Sequence, residues 1–211
     1  METKPTVGVE DREDTSRLYQ EAITTFEALL AEAKASPDPE PTAMTLATVG
    51  DGGRVSARVV LLKGVDARGF RFFTNYESAK GDAIATHPAV ALCFHWKMLR
   101  HGVQVRVEGD ASKLGAEESD DYFATRPRGS RIGAWASEQS RPLDARETFE
   151  RRIEAFEQRF EGGDVPRPEH WGGYLVVPRR IEFWYGAEFR LHERVTYARE
   201  GGVWSKGLLY P

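Results

Sequence analysis

Cysteine is all but missing, with Cys93 alone among 211 residues. One thiol excludes an intrachain disulfide and any cysteine-rich metal site, and it is compatible with a reducing compartment. A surplus of positive charge is lacking too. There are 29 lysines and arginines against 33 aspartates and glutamates, for a net charge of −4. A chain so balanced is not one held to nucleic-acid phosphates or anionic lipid, so neither nucleic acid nor membrane is expected as a partner. Long apolar runs are absent, since "VVLL" and "AVALCF" fall far short of a bilayer span. The acidic start "METKPTVGVEDREDTS" lacks the basic-then-apolar order of a secretory signal. A soluble, cytoplasmic protein is expected. No GxSxG, P-loop or GxGxxG motif occurs, and no His/Cys/Asp/Glu set has zinc spacing, so no metal is expected.

What is present reads as one domain. Aromatic residues at 11% and hydrophobic residues at 40% suit a globular core. Residues 1–13 read as a flexible arm and residues 14–211 as a single domain that opens on a helix. In that helix Leu18, Ala22, Phe26, Leu29 and Ala33 recur at helical spacing from Asp14 to Ala35, and "SPDPEP" ends it. From Ala43 to Leu114 the segments "AMTLATV", "VSARVVLLK", "FRFFTN", "VALCFHW" and "GVQVRVEG" are β-branched and aromatic, punctuated by "GDGG" and "DARG" turns. They predict hairpins of an antiparallel barrel. "SAKGDAIATHP" predicts a short helix and Ala116–Thr125 another. "DARETFERRIEAFEQRF" predicts a third, capped by Asp144 with Glu147 at the third helical position. "YLVV", "RIEFWYG", "RVTYARE" and "VWSK" return to strands. The fold class is β-rich α+β, a barrel with helical insertions.

Four stretches carry chemistry. In "DDYFATRPRGSRIGAW", Tyr122 and Arg126 are four apart and share a helix face. Pro127 breaks that helix, and Ser130 reads as the cap of the next. A phenol, a guanidinium, a hydroxyl and a helix N-terminus together can hold a phosphate monoester, although the same residues also suit an ordinary helix end. "RVVLLK" places Arg58 and Lys63 an odd number apart, hence on opposite strand faces, so one strand can serve two anions. "FFTNYESAK" adds Thr74 and Lys80 as phosphate donors. In "EFRLHER", read as a strand, Arg190, His192 and Arg194 share one face and repel unless something anionic sits among them.

Taken in order, "RVVLLK", "FFTNYESAK", "VQVRVEG", "YFATRPRGSRIGAWASEQS", "WGGY", "IEFWYG" and "RLHER" make the chain from about Pro41 onward resemble the pyridoxine/pyridoxamine 5′-phosphate oxidases. The resemblance implies an FMN-binding split β-barrel, assembled as a homodimer with FMN at the subunit interface. It implies FMN contacts at Arg58, Val59, Val60, Leu61, Leu62, Lys63, Phe73, Thr74, Lys80, Gln104, Gln139, Ser140, Trp184 and Arg194. The substrate phosphate would be held by Lys63, Tyr122, Arg126 and Ser130, with Arg190, Leu191 and His192 against the pyridine ring. Arg190 and His192 would be the catalytic pair, and the alternating cations would then sit over flavin and an anionic substrate. The implied reaction is oxidation of pyridoxamine or pyridoxine 5′-phosphate by dioxygen to pyridoxal 5′-phosphate, releasing hydrogen peroxide, and ammonia from the amine. Ala79 departs from the family pattern, which has a second cation beside Lys80. The alternatives are a flavin oxidase of another ring, of phenazine type, and a non-catalytic module that binds FMN or pyridoxal phosphate.

Overall fold

The computed structural model describes the backbone from Val9 to Pro211 and the side chains from Ser16 onward. Of the expected arm, residues 1–8 lie outside the described residues, while residues 9–13 already belong to helix α1 (Val9–Ala35). The helix thus begins five residues before the expected Asp14. Its inward face, Ala22, Ile23, Phe26, Leu29, Leu30 and Ala33, is buried. Phe26 is the centre of that contact, edge-on to Phe70 at 4.8 Å and to Phe94 at 4.9 Å. Such aromatic pairs add about 0.5–1.5 kcal/mol beyond the area they bury.

Among the described residues nine strands form one sheet: β1 (Ala43–Val49), β2 (Val55–Leu61), β3 (Gly64–Asp66), β4 (Gly69–Asn75), β5 (Ala89–Trp96), β6 (Val103–Lys113), β7 (Trp171–Tyr185), β8 (Glu193–Glu200) and β9 (Val203–Leu208). Every pairing is antiparallel, as the hairpin pattern predicts. The order is β2-β1-β5-β6-β7-β4-β3, with β8 on β7 and β9 on β8. Alternation explains the pairing register. On β1 the residues Met44, Leu46 and Thr48 are buried, and on β6 Val103, Val105 and Val107 are, so a one-residue slip would expose the whole set.

Strand β7 does the most to shape the molecule. Its first half pairs with β4 and its second half with β8, while β6 runs along its other edge. The register shifts between Glu108 and Gly109, where β7 carries Pro178 and one extra residue. Proline has no N–H to donate and is tolerated at a bulge, which bends the strand and increases its twist. The sheet is therefore curled rather than flat, and β7 serves two neighbours on one edge.

Helix α2 (Ala79–Thr86) follows β4, and α3 (Ala116–Ala124), α4 (Arg128–Ala136) and α5 (Arg146–Arg159) lie between β6 and β7. Ser78 caps α2, accepting from the Gly81 N–H at 3.4 Å. Two expected caps differ. The N-cap of α5 is Ala145, with no side-chain cap, and Asp144 stands one residue earlier, where Thr148 and the Ala145 N–H hold its carboxyl below its usual range. The N-cap of α4 is Pro127, so Ser130 is the third residue of that helix rather than its cap. The proline ring fixes φ there at −52° and brings no side-chain acceptor, while its carbonyl accepts from the Ser130 N–H at 2.9 Å and the Arg131 N–H at 3.1 Å. No described helix is long and apolar enough to cross a membrane.

Candidate functional site

Where β2 ends, β4 turns into α2, and α3 turns into α4, a cleft of about 530 Å³ opens. It is lined by Val59, Val60, Leu61, Lys63, Phe73, Thr74, Lys80, Tyr122, Arg126, Ser130 and Gln139, joined by Thr125, Pro127 and Trp171. Residues expected from three separate stretches, "RVVLLK", "FFTNYESAK" and "YFATRPRGSRIGAWASEQS", thus share one cavity. The expected parity between Arg58 and Lys63 does not carry, because β2 stops at Leu61. Both charges bear on this one cleft instead. Lys63 lines it, and Arg58 acts on Lys80. Leu62 turns inward, 4% exposed in the core, so its side chain is not part of the lining.

One end of the cleft is a knot of donors. Lys80 Nζ donates to Gln139 Oε1 at 2.7 Å, to Thr74 Oγ1 at 3.1 Å and to Ser78 Oγ at 3.2 Å. Asn75 Nδ2 donates to the Ser137 carbonyl at 3.4 Å, tying β4 to the segment that carries Gln139 and Ser140. Ser140 itself has φ +71°, a left-handed conformation uncommon outside glycine. Among the described residues no carboxylate forms an ion pair with Lys80. Burial first, and the Arg58 charge second, push its pKa down to about 8. Arg58 is anchored by Nη1 to Thr48 Oγ1 at 2.8 Å and to the Leu46 carbonyl at 3.1 Å. Two neighbouring cations with hydroxyl and amide partners suit a phosphate rather than a metal. Among the described residues no His/Cys/Asp/Glu group could hold a metal ion.

The other end is aromatic. Phe73 and Tyr122 stack at 3.9 Å, and Trp171 continues the stack 5.7 Å from Phe73. Arg126 lies over the Trp171 ring at 4.5 Å. Its Nη1 is enclosed and has no hydrogen-bond partner. Burial lowers its pKa, although a guanidinium stays charged. An enclosed, unpartnered cation is costly unless an anion joins it. Sequence reasoning did not assign Trp171 a role; the only signal was the motif "WGGY".

The remaining expected residues lie on a different surface. Gln104 pairs with Trp184 and Trp184 with Arg194 across β6, β7 and β8, so the three share one sheet face. "EFRLHER" is not a strand through its length. Glu188–Arg190 forms a single 3-10 turn and β8 begins at Glu193. Phe189 and Arg190 have φ +56° and +62°, and two successive left-handed non-glycine residues cannot continue a pleat. Arg190 and Leu191 are exposed on that turn. His192 folds back, accepting the Ala187 N–H at Nδ1 (3.1 Å) with its ring 4.5 Å from Trp184. Of these three cations only Arg194 meets an anion among the described residues, Glu182, to which sequence reasoning gave no role. It is 2% exposed, and Arg194 grips it through Nε at 2.9 Å and Nη2 at 2.8 Å.

Comparison with known proteins shows the family to which the chain belongs. Residues 29–160 match the pyridoxamine 5′-phosphate oxidase family, and residues 171–211 match the pyridoxine 5′-phosphate oxidase C-terminal dimerisation region. The chain belongs to the pyridoxine/pyridoxamine 5′-phosphate oxidase family. It is 57% identical over 196 residues to the pyridoxine/pyridoxamine 5′-phosphate oxidase of Xanthomonas euvesicatoria, covering 92% of this chain and 98% of that protein. Among solved structures, PhzG from Burkholderia lata, in complex with tetrahydrophenazine-1-carboxylic acid, is 31% identical with a TM-score of 0.82. That match covers 90% of this chain and 92% of the other. A pyridoxamine 5′-phosphate oxidase-related, FMN-binding protein from Nostoc punctiforme shares the fold. It has a TM-score of 0.69 at 19% identity, over 89% of this chain and 96% of that one. The curled antiparallel sheet is thus the oxidase family's split barrel. The segment that bears Trp184, Arg190, His192 and Arg194 falls in the family's dimerisation region.

Proposed function

We propose that this oxidase family member converts pyridoxamine or pyridoxine 5′-phosphate to pyridoxal 5′-phosphate, with FMN as cofactor and dioxygen as the terminal acceptor. The observation that carries the reading is Arg126. Its enclosed Nη1 lacks any partner in a cleft that also collects Lys63, Tyr122 and Ser130. That set meets a small phosphate monoester with two cations and two hydroxyls, which is charge-assisted and directional. Near full-length identity of 57% to a B6 oxidase supports the same substrate over a phenazine ring, where the likeness is 31%.

The donor knot fits the cofactor's phosphate. Lys80, Thr74, Gln139, Ser140 and Arg58 would hold it, and Val59–Leu61 with Phe73 would face its ring system. When bound, FMN supplies the two-electron oxidation at the substrate's C4′ carbon and passes the electrons to dioxygen. The chain's own work is positioning. Arg126, Lys63, Tyr122 and Ser130 fix the phosphate end. We further propose that a second copy, docked through the C-terminal region, brings Gln104, Trp184, Arg190, Leu191, His192 and Arg194 to the mouth of this cleft. Arg190, always protonated, would steady developing negative charge on the substrate ring. His192 accepts at Nδ1, so its neutral ring carries the proton on Nε2 and offers it as a donor to the substrate.

Anaerobic mixing of the FMN-loaded protein with pyridoxamine 5′-phosphate tests the proposal directly. The 450 nm flavin band should bleach and return on admission of air, with peroxide formed in proportion. A band that persists with both vitamer phosphates overturns the substrate assignment. Persistence with these and bleaching with a reduced phenazine carboxylate would favour the other ring.

A further inference from the structure

Glu182 stands on β7 one step from Trp184, in the cross-strand row Arg106, Glu182, Thr196. The adjacent row on the same face is Gln104, Trp184, Arg194. Its carboxylate is 3% exposed and meets three guanidiniums. Oε1 takes both contacts from Arg194, at 2.9 Å from Nε and 2.8 Å from Nη2. Oε2 takes Arg106 Nη1 at 3.3 Å and faces Arg180 Nη2 at 3.7 Å. The Tyr210 carbonyl accepts from Arg194 Nη1 at 3.0 Å. Three of the five guanidinium N–H groups are therefore engaged from behind. The remaining two share a plane with them, and that plane is set by the carboxylate.

The partners do not stand alike. Arg106 is half-exposed and has a second carboxylate, Glu108, at 2.9 Å. Arg180 touches only at the edge of ion-pair range. Arg194 is the partner held at two points, and it has no other carboxylate within ion-pair distance among the described residues. A buried carboxylate is costly and stabilises little by itself, since a well-packed apolar residue often does as well. Its better-supported use is to specify one geometry.

We propose that Glu182 is a positioning residue for the flavin site, locking the Arg194 guanidinium in the orientation that meets the cofactor. The inference rests on the reading that Arg194 touches FMN. Glu182 itself touches neither cofactor nor substrate. It acts by removing the rotational freedom of the Arg194 fork and by balancing part of the positive charge that Arg194 and Arg106 put on this face.

Four single variants of the full-length protein, Glu182→Gln, Glu182→Asp, Arg194→Ala and Arg106→Gln, and the double variant of Glu182→Gln with Arg194→Ala separate the possibilities. FMN affinity is read by quenching of flavin fluorescence, and the midpoint potential of bound FMN by reductive titration. Glu182→Gln should weaken FMN about tenfold, as expected for loss of a charge-assisted contact. It should also raise the midpoint potential, because a nearby negative charge is gone. Glu182→Asp should recover part of both. Arg106→Gln should leave affinity within twofold, since Arg194 keeps its partner. In an Arg194→Ala background, Glu182→Gln should have no further effect on affinity.

If Arg194→Ala binds FMN as well as wild type, the cofactor reading of Arg194 fails and this inference with it. If Arg194→Ala weakens binding but neither Glu182 variant changes affinity or potential, the positioning role alone is overturned. Equal losses in Arg106→Gln and Glu182→Gln would mean a merely structural ion cluster and would overturn it too. Should Glu182→Gln not fold, Glu182→Asp and the potential carry the same decision.

Discussion

The donor knot around Lys80 makes FMN affinity depend on pH in a direction that can be worked out. Burial, then the Arg58 charge, lowers the Lys80 pKa to about 8. At that value the ammonium is about nine-tenths protonated at pH 7 and about one-tenth at pH 9. A phosphate dianion beside Lys80 and Arg58 reverses both causes and holds the proton on. Cofactor binding above pH 8 must therefore take up a proton, so affinity falls about tenfold between pH 7 and pH 9, or ~1.4 kcal/mol. For folding of the FMN-free protein the sign runs the other way. The unfolded chain binds the proton more tightly than the folded one. The cost is fully present below pH 8 and fades as pH rises toward the ordinary 10.5. The assay is quenching of flavin fluorescence at constant ionic strength, with FMN and riboflavin compared. Riboflavin lacks the phosphate and should show no slope, and Lys80→Arg, charged throughout, should bind FMN with a flat profile. A wild-type change below twofold, or the same slope in Lys80→Arg, refutes the reasoning.

Arg126→Ala should raise KM for the phosphorylated vitamers about 10- to 100-fold, matching the ~1.5–3 kcal/mol of a hydrogen bond to a charged group, with kcat changed far less. Steady-state kinetics with a KM equal to wild type would put the phosphate elsewhere. Arg190→Ala should lower kcat about a hundredfold or more while FMN affinity holds, because contacts made in the transition state are lost. Unchanged turnover would remove Arg190 from the mechanism. Gly81→Ala tests the support beneath Lys80. A Cβ at Gly81 would collide with the Tyr76 carbonyl oxygen, so backbone must shift. The expected cost is about 1–3 kcal/mol by urea denaturation, and an unaltered midpoint would show that the α2 start is loosely held.

Much of the frame is legible because its periods are local. Met44, Leu46 and Thr48 alternate inward on β1, and Ala22, Phe26, Leu29 and Ala33 repeat along α1, so each element announces its own buried face. Tyr122 and Arg126 do share the cleft, but not through the helix face their spacing predicts, because α3 stops at Ala124 and Arg126 lies just past its cap at Thr125. The 3-10 turn at 188–190 is not legible. Phenylalanine and arginine carry no preference for positive φ, and a strand-like alternation of side chains survives in the letters while the backbone departs from it. Glu182 is hidden differently. Its neighbours in "RIEFWY" suggest an ordinary strand with a polar face, and only the pairing of β7 with β6 and β8 brings Arg106 and Arg194 to it. Trp171 likewise acquires its contact with Arg126 across forty-five positions of chain, a distance no window of sequence spans.

The arginines of this chain divide by what sits behind them, and that division separates their chemistry. Arg194 has a buried carboxylate at its back and a carbonyl at its side. A guanidinium so balanced adds little net charge, and its value lies in a fixed direction. Arg126 has a tryptophan face at its back and an enclosed nitrogen with nothing to meet. Aromatic support steadies the plane without neutralising it, so the full charge remains for an incoming anion. A phosphate is recruited by the second kind of arginine, and a nearly neutral ring is oriented by the first. Exchanging their environments should exchange their effects. A glutamate introduced beside Arg126, as in Trp171→Glu, should abolish the preference for phosphorylated over unphosphorylated vitamers. A retained preference of wild-type size, measured as a ratio of kcat/KM values, would refute the distinction.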